Sequence, residues 1–104
     1  MASAIASEGT LRIHRSLAGT SAPFRVTFQA YHDGDEPAPA AERAFHHLQD
    51  VRTFLNVLGI GAEYVREALR ELTAGRSAFL TNIALTEKAI KNAGFGSLLA
   101  AARG

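Results

Sequence analysis

The segment TLRIHRSLAGTSAPFRVTFQAY, residues 10–31, decides the fold class. In its first part, TLRIHRSL (10–17), apolar Leu11, Ile13 and Leu17 alternate with polar Arg12, His14 and Ser16. A period of two with one apolar face predicts a half-buried strand. Arg15 interrupts that face, which points to an edge strand. AGTSAP at 18–23 supplies Gly, Ser and Pro for a loop. FRVTFQAY at 24–31 alternates again, with Phe24, Val26, Phe28 and Ala30 on one side and Arg25, Thr27 and Gln29 on the other. Two such runs joined by a short polar loop predict an antiparallel hairpin.

Downstream the period changes. DGDEPAP at 33–39 reads as a solvated connection, because Pro37 and Pro39 cannot continue a strand. From about Ala40, the residues Ala44, Phe45, Leu48, Val51, Phe54, Leu55 and Leu58 recur three and four apart. That spacing predicts one long helix, ended by Gly59 as a left-handed cap. A second helix is expected from Ala62 to Thr73, with Val65, Ala68, Leu69 and Leu72 inward and Gly75 at its end. SAFLTNIAL at 77–85 predicts a third strand near 78–85. Thr86 is a natural N-cap for a helix over 87–93. SLLAAAR at 97–103 fits either a further helical segment or a frayed tail. The expected order is ββααβα: an α+β domain over 10–104, its small antiparallel sheet (the hairpin plus a third strand) packed against helices, after a flexible tail over 1–9.

Composition narrows the functions. The hydrophobic share of 47% and charged share of 20% suit a globular chain that can bury a core without staples. The sequence has no cysteine, which excludes disulfides, thiolate catalysis and Cys-ligated metals, and fits a reducing compartment. MASAIASEG has neither the basic start nor the apolar run of a signal peptide, and no segment has the length of a membrane span, so a cytoplasmic protein is expected. Eleven basic residues face ten acidic ones, and no Lys/Arg cluster appears. Nucleic-acid binders draw affinity from neutralising phosphates, so the balance argues against such a partner.

VLGIGAEYVREALREL at 57–72 resembles the helix-turn-helix of small bacterial regulators, winged-helix ones included. The resemblance lies in Leu58-Gly59-Ile60, Val65, Leu69 and Leu72. It implies a second helix set in the major groove, with Tyr64, Arg66, Arg70 and Arg76 facing DNA and AFLTNIAL forming part of a wing. The charge of that helix argues for packing instead. With its apolar stripe buried, it shows Glu63, Glu67 and Glu71 to water against Arg66 and Arg70. A phosphate-lined groove repels such carboxylates.

Chemistry-bearing motifs are few. Glu42, His46 and Asp50, four apart, would share one stripe of the first helix with His47 alongside, a row able to hold a transition metal or shuttle a proton. Ligands strung along one helix converge poorly on one ion, so a solvated face is the simpler expectation, and no metal or cofactor is assigned. His14 and His32 lie on the hairpin. DGDE at 33–36 starts like a calcium loop but continues with Pro37, Ala38 and Ala44 where ligand, glycine and glutamate are needed. Gly59-Ile60-Gly61 meets Tyr64 where a dinucleotide loop needs a third glycine, and Gly94-Phe95-Gly96-Ser97 lacks the phosphate-loop lysine. No serine sits in a GxSxG elbow. The sequence therefore points to a non-enzymatic interaction or regulatory module, self-associating or binding another protein. A helix-turn-helix DNA binder and a small metal- or proton-handling enzyme are the alternatives.

Overall fold

In the computed structural model, which describes residues 5–15, 23–31 and 40–95, the elements are β1 (Ile5–Arg15), β2 (Phe24–Ala30), β3 (Ala40–Phe45), α1 (Leu48–Val57), α2 (Ala62–Thr73), β4 (Ala78–Thr86) and α3 (Glu87–Asn92). The α+β class is as expected: an antiparallel sheet of order β3-β2-β1-β4 carries the helices on one side. The anticipated succession ββααβα is present, with one further strand ahead of the helix pair. His32, the connection at 33–39 and the segment at 97–103 lie outside the described residues.

Alternation places the core. Leu11 and Ile13 of β1, Phe24, Val26 and Phe28 of β2, and Leu80 and Leu85 of β4 are buried. They meet Val51, Phe54 and Leu55 of α1, Val65, Ala68 and Leu72 of α2, and Ile90 of α3 in one cluster. Phe95, just past α3, sets its ring edge-on against Phe54 at 5.4 Å. The opposite sheet face carries Arg12, His14, Arg25 and Gln29, all exposed.

Two expectations about the strands are corrected. β1 is an interior strand, bonded to both β2 and β4, although Arg15 suggested an edge. The apparent break in the apolar face is a rim position: Arg15 Nη1 donates to the Leu72 carbonyl at the end of α2, with its guanidinium over the Phe24 ring. A cation there complements the negative end of the helix dipole. β1 also starts at Ile5, inside the stretch expected as a tail. Its Gly9 lies against β2 so closely that an added Cβ would sit 2.1 Å from the Gln29 carbonyl oxygen.

The long first helix is also corrected. Residues 40–45 form β3, and α1 starts only at Leu48. Ala40, Ala41, Glu42, Arg43 and Ala44 have helical preferences, but pairing with β2 in the register Phe24↔Phe45 to Gln29↔Ala40 overrides them. The strand turns Ala41 and Phe45 toward the core, and the Phe45 ring packs against Phe54 with centroids 4.9 Å apart and planes tilted by 47°. Arg43, between them, reaches Nη1 to the Ala93 carbonyl that caps α3 (3.1 Å). Two strand arginines thus terminate two helices.

Helix ends follow the sequence closely. Gly59 has φ +78°, and Ile60 N–H returns to the Leu55 carbonyl at 3.1 Å, a left-handed cap that folds Ile60 onto the last turn of α1. Thr86 caps α3 by accepting from Ala89 N–H. Between Gly9↔Ile83 and Leu11↔Leu80 the β1–β4 register slips by one residue. The bulge is at Thr81 and Asn82, where Asn82 takes φ 56°.

Candidate functional site

β4 has β1 on one side and, among the described residues, no strand on the other. An unpaired strand edge presents backbone N–H and C=O groups to any chain able to pair with them. Beside this edge runs a groove of about 510 Å³, lined on the strand side by the consecutive residues 77–82 and on the helix side by Tyr64, Glu67, Ala68 and Glu71. Successive strand side chains point to opposite faces, so a depression touching every residue in turn follows the backbone edge itself. Tyr64 and Phe79 are 54% and 55% exposed at its two walls, large apolar surface left in water.

The wall of α2 is acidic. Tyr64, Glu67 and Glu71 fall three and four apart and so share one flank of the helix. Glu71 Oε2 accepts from Arg76 Nε at 2.6 Å, just past the helix. That hydrogen bond, helped by the charges of Arg76 and Arg70 and opposed by partial desolvation, holds the Glu71 carboxyl below its ordinary 4.5. Glu67 makes no ion pair among the described residues. The other flank of α2 is basic: Arg66, with Arg52 of α1, lines a second depression of about 320 Å³ between the two helices. One helix therefore divides an acidic groove from a basic cleft.

The residues singled out for DNA contact do not line one depression. Tyr64 belongs to the β4 groove, Arg66 to the cleft beside α1, and Arg76 is paired with Glu71. Arg70 is exposed on the last turns of α2. The Glu42–His46–Asp50 stripe is not formed, because its helix begins only at Leu48. Glu42 sits on the outer face of β3, accepting from Thr27 Oγ1 at 3.3 Å. His46 lies in the turn after β3, and His47 is the N-cap position of α1, its ring centroid 6.3 Å from that of His46. Asp50 is in the first turn of α1. His14 is on β1, with Nδ1 3.3 Å from Ser77 Oγ. Among the described residues, no three His, Asp or Glu side chains gather as a metal would require, and no helix is long and apolar enough to cross a membrane.

Sequence reading passed over Phe79, Glu67 and the groove between them. One signal was present: Phe79 falls on the polar side of an alternating strand, between Ala78 and Leu80. An aromatic residue there has no place in the core. No protein-family model, curated protein or solved structure matches this chain.

Proposed function

We propose that this protein is a non-enzymatic protein-interaction module that takes an extended polypeptide segment along the open edge of β4, with α2 as the second wall. The observation that carries the reading is the groove following residues 77–82 between exposed Tyr64 and Phe79. Main-chain pairing at such an edge supplies affinity, and the flanking helix and alternate side-chain contacts supply selectivity. Self-association, the partner relation first expected from the sequence, is the symmetrical form of the same docking. The absence of cysteine is compatible with work in a reducing cytoplasm.

Selection from a library of random octapeptides, followed by titration of enriched peptides into ¹⁵N-labelled protein, tests this. The expected result is shifts of the amides of Ser77, Phe79 and Thr81 together with the Tyr64 ring signals. Peptides that move only α1 or the outer sheet face would sink the reading. So would a library that yields no binder.

A further inference from the structure

Resting on that reading, we infer that the occupant of the β4 groove is an extended segment of another protein with basic side chains at alternate positions, and not a second copy of this chain. Among the described residues, every charged one lining the groove is acidic: Glu67 and Glu71, both from α2. The arginines of α2 do not line it, since Arg66 belongs to the opposite cleft. Arg76 is held by Glu71, whereas the Glu67 carboxylate has no ion pair among the described residues.

A second copy fits this charge pattern badly. Antiparallel pairing of β4 with β4 requires a twofold axis perpendicular to the sheet, which keeps both helix layers on the same side of the joined sheet. The acidic flank of each α2 then faces the acidic flank of the other across the seam. Like charges repel across such a seam, the more strongly as salt is lowered. Nor does β4 bring a remedy: AFLTNIALT has no lysine or arginine to set against the partner's glutamates.

A basic strand meets both walls. Successive side chains of an added strand point to opposite sides of the sheet. Lysine or arginine on the helix side reaches Glu67 and Glu71, while an apolar residue on the outer side packs against Phe79. That ring already has the Arg12 guanidinium over it at 5.7 Å, from the β1 side. The partner class is therefore an extended segment alternating basic and apolar residues.

Two fluorescein-labelled heptapeptides provide the test, one alternating valine with lysine and the other valine with glutamate, both titrated by anisotropy and by ¹⁵N shifts. The lysine peptide is expected to bind with shifts at residues 77–82, about tenfold more tightly than the glutamate peptide at low salt. Glu67→Gln should narrow that preference and Glu67→Lys should reverse it, both in an exposed position where folding is checked by the unchanged shifts of the core. Equal binding of the two peptides overturns the inference, as does a preference unmoved by Glu67→Lys. Light scattering that shows a dimer, with its interface shifts at residues 77–82, also overturns it. If octapeptides without basic bias are selected at this edge, the interaction module stands and the charge inference alone falls.

Discussion

The Tyr31 hydroxyl accepts from Asn82 N–H at 3.0 Å and donates to Asn82 Oδ1 at 3.2 Å, bridging from the end of β2 across β1 to the bulge of β4. The Tyr31 main chain is fixed beside β1 by its own N–H, which donates to the Glu8 carbonyl at 2.8 Å. Asn82 is the one non-glycine residue with positive φ among the described residues, and asparagine tolerates that conformation better than most. The phenol thus satisfies both the backbone and the side chain of the strained position that shapes the open edge.

Tyr31→Phe removes that double hydrogen bond and leaves the ring. A loss of about 1 kcal/mol is expected, the usual net value for such a contact. Urea melts measure it, and amide exchange of Thr81 and Asn82 should quicken in the variant. Unchanged exchange at the bulge would mean that the hydroxyl does not hold it.

Three glycine-to-alanine variants should separate in order. Gly9→Ala forces a methyl group onto the Gln29 carbonyl and the Ala30 Cα, 2.7 Å away. Overpacking of this kind costs about 2–3 kcal/mol. Gly59→Ala meets nothing within 4 Å, but its φ of +78° puts alanine in the left-handed region, at about 1 kcal/mol. Gly61→Ala meets only the Tyr64 ring at 3.3 Å and should cost least. Chemical denaturation of all three decides the ranking, and a Gly9→Ala protein as stable as the parent would refute the β1–β2 register.

Arg43 does two jobs that substitution can separate. Its guanidinium lies 5.6 Å from the centres of both the Phe45 and Phe54 rings while Nη1 bonds the Ala93 carbonyl. Arg43→Met keeps an aliphatic stem over the rings and loses the charge and donor, for an expected cost of about 1 kcal/mol. Arg43→Ala should cost more, because the stem goes too. Equal melting of the two variants would show that the stem contributes nothing.

The Glu71–Arg76 pair makes a pH prediction. Arg76, by donating to the Glu71 carboxylate, holds it below the usual glutamate range in the folded protein. A group whose folded pKa is depressed adds stability that is present above the unfolded pKa and is lost as pH falls through the folded one. The effect is confined to acid, and it is small and salt-sensitive because the pair is at the surface. In Arg76→Gln the Glu71 carboxyl carbon should titrate at higher pH by NMR. An unmoved titration would contradict the pair.

Periodicity carried most of the fold. Alternation located β2, a short apolar run bounded by polar residues located β4, and the three-and-four spacing located α2 to the residue. β3 escaped since its alanines, Glu42 and Arg43 have helical preferences, and only the waiting edge of β2 makes them a strand. That error created the Glu42–His46–Asp50 row, which needed a helix through residues 42–50. The groove was less legible still. Glu67 reads as an ordinary solvated glutamate until topology sets α2 beside a free edge, and which edge is free depends on strand order rather than on local sequence.

The interior place of β1 has a bearing on biosynthesis. A ribosome delivers β1, β2 and β3 in succession, and they can pair as a meander, but the second neighbour of β1 is encoded near the opposite end of the described chain. Until β4 emerges, β1 itself is the open edge of the nascent sheet, with Leu11 and Ile13 of the core on it. Polypeptides truncated before Ala78 should therefore expose the β1 edge and aggregate, and the core closes only once Ile90 and Phe95 have also emerged.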